Sequence, residues 1–278
     1  MRVLIFVICL LSSAPAWSQQ SEFYADLAGS NGGSCTQDAP CQTINYALRR
    51  ALNACVGGYR VVVNLGAGVW NETVNLVHAV PNCAKKIGDE EPLLIQGAGS
   101  AQTTWNGCST CTGTVVATGT GTDVALAKMT LMSTGAPRQN TLYAQKGALI
   151  QVIDDVVFGQ SNNQQVHCEN VGSMIQLWQD YTIASGSRNG NHVGATTQCG
   201  VYIGPLKVTL APNLIFGGPF LFAQIGAVIN LTAEWRGGPV KARKYQSDSL
   251  SMIATNGGGC TKIPGNAPGI KHNGGLCF

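Results

Sequence analysis

Charge is scarce in this chain. Only 11% of its 278 residues are Asp, Glu, Lys or Arg, and the basic residues never gather into a run. Phosphate backbones are held by clustered Lys and Arg, so nucleic acid is excluded as a partner. Long hydrophobic runs are missing too. Beyond the stretch from Val3 to Leu11, no segment approaches the ~20 apolar residues that span a bilayer. No Pro-rich linker splits the chain, which favours one domain. Threonines alternate at Thr118, Thr120 and Thr122 but do not return rung after rung, so a regular ice-binding array is not expected. The low charge does not signal disorder, because apolar β-branched runs recur throughout.

Cysteine and glycine are plentiful, with 11 Cys and 35 Gly. The apolar stretch after Met1-Arg2 ends in small residues, Ala16 and Ser18, before Gln19. Residues 1–18 therefore read as a secretory signal peptide, and the protein is expected outside the cytoplasm, extracellular or periplasmic. Cys9 leaves with that peptide. Ten cysteines remain in an oxidising compartment, which predicts five disulfides. Chain order suggests Cys35–Cys41, Cys55–Cys83, Cys108–Cys111, Cys168–Cys199 and Cys260–Cys277. The Cys108–Cys111 spacing occurs in a polar loop rather than at a helix start, which favours a structural over a redox role.

A short strand pattern returns at Gly147-Ala-Leu-Ile, Gly172-Ser-Met-Ile, Gly200-Val-Tyr-Ile, Gly226-Ala-Val-Ile and Leu250-Ser-Met-Ile. The intervals of 25, 28, 26 and 24 residues suit the rungs of a solenoid. Ahead of the rungs, Ile44, Leu48, Leu52 and Cys55 recur at helical spacing. The fold expected is an all-β solenoid in one domain over residues 19–278. An amphipathic capping helix covers 41–56, rungs cover 60–256, and a C-terminal loop cap over 257–278 is stapled by Cys260–Cys277.

The helix, the strand Val61–Leu65, the turn Gly66-Ala-Gly-Val-Trp-Asn-Glu72 and Leu93-Leu-Ile-Gln-Gly-Ala-Gly99 resemble the opening of pectin-lyase-like, right-handed, single-stranded parallel β-helices. Gly226-Ala-Val-Ile229, Ala242-Arg-Lys-Tyr245 and Ile263-Pro-Gly-Asn-Ala-Pro-Gly269 resemble the C-terminal part of secreted or prophage-tail-associated β-helix proteins. The resemblance covers most of the chain and implies a fold, but it spans lyases, hydrolases, esterases, adhesins and tail proteins. Against the esterases, Gly68-Val-Trp-Asn-Glu72 and Asp155-Val-Val-Phe-Gly159 are similar to family motifs. In Gln139-Asn-Thr-Leu142, however, Asn140 stands where the general acid belongs, and an amide has no such proton to give. Against the hydrolases, Asp154-Asp155, His192-Val-Gly194 and Arg243-Lys244 resemble the catalytic set, and their upstream acidic motif is absent. Adjacent strand residues also point to opposite faces unless the strand bends. A lyase reading would add calcium, with Asp155 and Asp180 one rung apart; no cofactor is expected otherwise.

Trp178, Tyr181, Tyr202 and Phe216 are candidates for a sugar-binding face, with core packing as the competing role. Asn71-Glu-Thr73 and Asn230-Leu-Thr232 match the glycosylation acceptor pattern. The favoured expectation is a secreted, non-catalytic β-helix that is structural or binds a polysaccharide or cell-surface glycan. The alternative is an enzyme on acidic polysaccharide, with Asp154, Asp155, His192 and Arg243 as catalytic candidates. Caps at both ends favour a monomer over a tail-type trimer.

Overall fold

The structure is a computed structural model that describes residues 21–54, 60–77 and 92–278. Within them the chain winds into a parallel β-solenoid of about seven turns. Each full rung contributes strands to three columns. The first face stacks Val61–Leu65, Leu93–Gln96, Asp123–Ser133, Leu149–Ser161, Met174–Leu177, Gly200–Ile203, Val228–Leu231 and Met252–Ala254. The second carries Gly68–Asn71, Thr103–Asn106, Tyr181–Ile183, Lys207–Leu210 and Glu234–Gly237. Asp123–Ser133 and Leu149–Ser161 run across the corner, so these two faces form one 15-stranded sheet. The third face is a separate 8-stranded sheet, running from Val74–Val77 to Ile270–Lys271.

Alternation with a period of two decides which side chains enter the core. In Lys207–Leu210, for example, Val208 and Leu210 are buried while Lys207 and Thr209 are exposed. Register stacks like on like: Ile150, Ile175, Val201, Ile229 and Ile253 form one inward column. Trp70, Trp105, Leu131, Phe158 and Ile183 form another. One contiguous apolar cluster runs from Ala25 to Cys277.

The turn from the third face to the first needs a left-handed residue on every regular rung. Gly147, Gly172, Gln198, Gly226, Leu250 and Gly274 fill that slot, all with positive φ. Gly200 does not: it pairs with Met174 and Val228 inside the strand column. The sequence pattern opens a strand at Gly200 as the structure does, but lining Gly200 up with Gly147 and Gly172 sets it two residues out of register. Gln198 takes the left-handed slot without being glycine, so glycine alone does not mark the register on this rung.

The helix spans Ile44–Ala54 and packs on the first two strands, Ser21–Ala25 and Val61–Leu65. Its buried stripe is Ile44, Ala47, Leu48 and Ala51, with Leu52 only partly buried. The stripe is thus rotated from the expected one, because alanines allow closer approach to the strands than leucine does. Thr43 Oγ1 accepts from Tyr46 N at 3.2 Å. The Glu72 carboxylate accepts from Ile44 N and Asn45 N at 2.8 and 3.1 Å. A negative group on the open N–H groups of a helix N-terminus stabilises it.

Four disulfides close in chain order: Cys35–Cys41, Cys108–Cys111, Cys168–Cys199 and Cys260–Cys277. The expected Cys55–Cys83 pair and the expected signal peptide lie outside the described residues. The tail differs from a plain loop cap. Ile270–Lys271 and Leu276–Cys277 pair with the rung before them, so the solenoid continues to the C-terminal end. Two-residue strands are too short for a propensity signal to reveal. Among the described residues no helix is long and apolar enough to cross a membrane.

Candidate functional site: a notch on the first face

The outward side of the first face carries two parallel columns. Leu149, Met174, Gly200, Val228 and Met252 form one. Gln151, Gln176, Tyr202, Asn230 and Ala254 form the other. Glycine interrupts the first column at the rung where tyrosine stands in the second. A side chain built at Gly200 would meet nothing nearer than the Met174 methyl, at 3.9 Å. The result is a groove of about 350 Å³, with Met174, Gly200 and Val228 along one side and Trp178 and Tyr202 along the other.

Trp178 follows the strand Met174–Leu177 and stays 42% exposed. Its indole sits 4.9 Å from the Tyr202 ring, centroid to centroid, at a 52° tilt. Two amides fix the indole: its Nε1 donates to Gln151 Oε1 at 3.1 Å and to Gln176 Oε1 at 3.2 Å. Asn230 is oriented from the next rung, because Asn256 Nδ2 donates to its Oδ1 at 2.5 Å. That leaves Asn230 Nδ2 as a donor for a ligand. No carboxylate, imidazole or thiol lines the groove. Its chemistry is contact and hydrogen bonding, with neither a nucleophile nor an acid–base pair.

The expected catalytic residues do not converge. Asp154 and Asp155 lie where the Leu149–Ser161 strand turns from the first face to the second, at a register shift. Asp155 has φ 38°, and the bend leaves both side chains exposed. The Asp155 carboxylate is occupied, accepting from Ser100 N at 3.0 Å and Ser100 Oγ at 2.8 Å. Asp180, one rung on, accepts from Lys207 N at 2.7 Å. The two carboxylates anchor backbone and hydroxyl groups at the corner. Among the described residues no group of three or more Asp, Glu, His or Cys is placed to hold a metal ion. Asn140 lies at the start of a third-face strand, on a different face from Asp155.

His192 requires a correction. Neither solvated nor in a cleft, it lies fully buried inside the solenoid, among Phe158, Phe216, Phe220 and Trp235. Its Nδ1 is 2.8 Å from Gln165 Oε1, and its Nε2 is 2.8 Å from the Tyr181 hydroxyl. Gln165 Nε2 donates to two carbonyls, of Gly159 and Ser185, so its Oε1 must accept. The Nδ1 of His192 therefore carries the proton, and Nε2 accepts from Tyr181. Burial holds the imidazole pKa down at about 3. Tyr181 is corrected with it: the ring is 3% exposed, and burial raises its phenol well above the ordinary value. It is a core residue with no surface for a sugar. Phe216 is also buried. Arg243 is exposed at the approach to the third-face strand Tyr245–Ser247. The four catalytic candidates thus occupy a corner, the interior and a third-face edge.

One cluster escaped the sequence reading. On the outer third face the Tyr143 and His167 rings stack at 4.9 Å and 7°. The Tyr143 hydroxyl donates to Glu169, and Asn140 Nδ2 donates to His167 Nδ1 at 3.1 Å. Burial lowers His167 to about 4, against an opposing pull from Glu169. Only the parallel register, which sets Tyr143 beside His167, brings these residues together. No protein-family profile matches the chain, and a search of curated proteins returns no match.

Proposed function

We propose that the protein is a secreted, non-catalytic β-helix that binds glycan in the notch on its first face. The observation that carries this reading is the exposed Trp178–Tyr202 pair beside the gap at Gly200. Aromatic rings offer flat apolar faces to the C–H faces of sugars, and neighbouring amides serve hydroxyl groups as donors and acceptors. Secretion is supported by the N-terminal sequence pattern and by four disulfides, which persist in oxidising compartments. The three-column parallel winding is compatible with a pectin-lyase-like scaffold. Fold alone carries no activity, and the engaged Asp155 and the buried His192 argue against a pectin-modifying enzyme. The helix Ile44–Ala54 covering the first strands supports a protein that acts as a monomer.

The test is a glycan panel incubated with the purified protein, read for both binding and product release. Retention that Trp178→Ala abolishes, without new reducing ends, is the expected result. Turnover lost in Asp155→Ala would overturn the non-catalytic reading.

A further inference from the structure

We infer that the ligand is an uncharged, extended glycan whose chain runs along the stacking direction of the rungs. This inference rests on the binding role proposed above and specifies its ligand class. Charge is the first argument. None of the residues lining the groove is charged. A polyuronate would find no Lys or Arg in the groove to pair with its carboxylates. A neutral chain meets amides, a phenol and two rings.

Register is the second argument. Gln176, Tyr202 and Asn230 occupy successive rungs of one outward column along the groove. At the ~4.8 Å spacing of adjacent strands these three positions span about 10 Å, close to two extended pyranose units. Each polar side chain is then offered at roughly the repeat of the sugar chain, so hydroxyl contacts recur from unit to unit. Gly200 keeps the first column low beside Tyr202, which leaves depth for a pyranose ring against the indole.

The test uses the full chain and titration calorimetry. The ligands are neutral β-1,4-linked oligosaccharides of glucose, mannose and xylose of increasing length, with oligogalacturonates as the acidic arm. Affinity should rise with each added unit and level off at about two or three units, the reach of the column. It should change less than about twofold when salt rises from about 50 to about 500 mM, since no ion pair forms. Trp178→Ala should weaken binding of every length at least about tenfold. Gly200→Leu, which fills the notch and leaves Trp178 in place, should do the same. Asn230→Ala should matter for the longer ligands alone. Salt-sensitive binding of oligogalacturonate that needs Trp178 would overturn the neutral class and leave the groove as the binding site. Failure of every glycan to bind would overturn both readings. Sedimentation showing self-association lost in Trp178→Ala would then mark the groove as a seam between copies.

Discussion

Acid should destabilise this protein through His192, by an amount that the structure allows to be worked out. The ring is fully buried, carries its single proton on Nδ1, and has a folded pKa near 3 against an ordinary 6.5. Once unfolded, the chain binds a proton below 6.5, while the folded chain declines it until pH approaches 3. The unfolded state therefore holds more protons across that window, and stability falls as pH falls through it. At ~1.36 kcal/mol per unit, moving from about pH 7.5 to about pH 4.5 removes roughly 2–3 kcal/mol. The full loss, near pH 3, is about 5 kcal/mol. Urea unfolding followed by tryptophan fluorescence at a series of pH values reads this directly.

Carboxylates also titrate at the acid end, and His167 adds a slope of the same sign. A variant isolates His192 from them. In His192→Gln the amide still offers a donor to Gln165 and an acceptor to Tyr181. The lost ring volume costs about 1–3 kcal/mol at neutral pH. Below 6.5, however, the variant should lose stability less steeply than the natural protein, by about one proton's worth of slope. Equal slopes in the two proteins would refute the reasoning. So would an imidazole resonance from His192 that titrates near 6.5 in the folded protein.

Three further outcomes follow from the scaffold. Glu72→Ala strips the carboxylate from the Ile44 and Asn45 N–H groups and should cost about 1–2 kcal/mol, read as a lower melting temperature. Replacing both Cys168 and Cys199 by alanine opens a link across 31 residues and should cost about 3–4 kcal/mol on the chain-entropy account, by urea unfolding under oxidising conditions. Leu250→Gly removes a side chain that is 79% exposed in a left-handed turn, and should raise stability by about 1 kcal/mol after the entropy cost of glycine.

The scaffold was legible in the sequence because its physics is local. A short apolar alternation, a turn and a return about 25 residues later need no distant information. Bridges in chain order follow from rungs that touch only their neighbours. The interior polar group was not legible. His192 is flanked by Gly190 and Gly194 and looks like a loop residue. What makes it a core residue is Gln165, 27 residues earlier on the preceding rung, and Tyr181, 11 residues earlier on the second face of the same rung, which partner the two ring nitrogens. Tyr181 did carry a usable signal: in Tyr181-Thr-Ile183 the first and third residues share a face, and Ile183 marks that face as inward.

The groove was hidden by the two-residue offset between Gly200 and the glycines of the neighbouring rungs. Lined up with Gly147 and Gly172, Gly200 is one more strand opening and marks no gap. In its true register it is a missing side chain in a column of Leu149, Met174, Val228 and Met252. A solenoid repeats its backbone far more strictly than its sequence, so a departure gains meaning only against the column it interrupts. Gln198 holds the turn that glycine holds on neighbouring rungs, with φ 59°. That substitution releases glycine for the strand, two positions on, beside Tyr202. A gap in an apolar column beside two aromatic rings and two amides is a surface that a sugar ring fits.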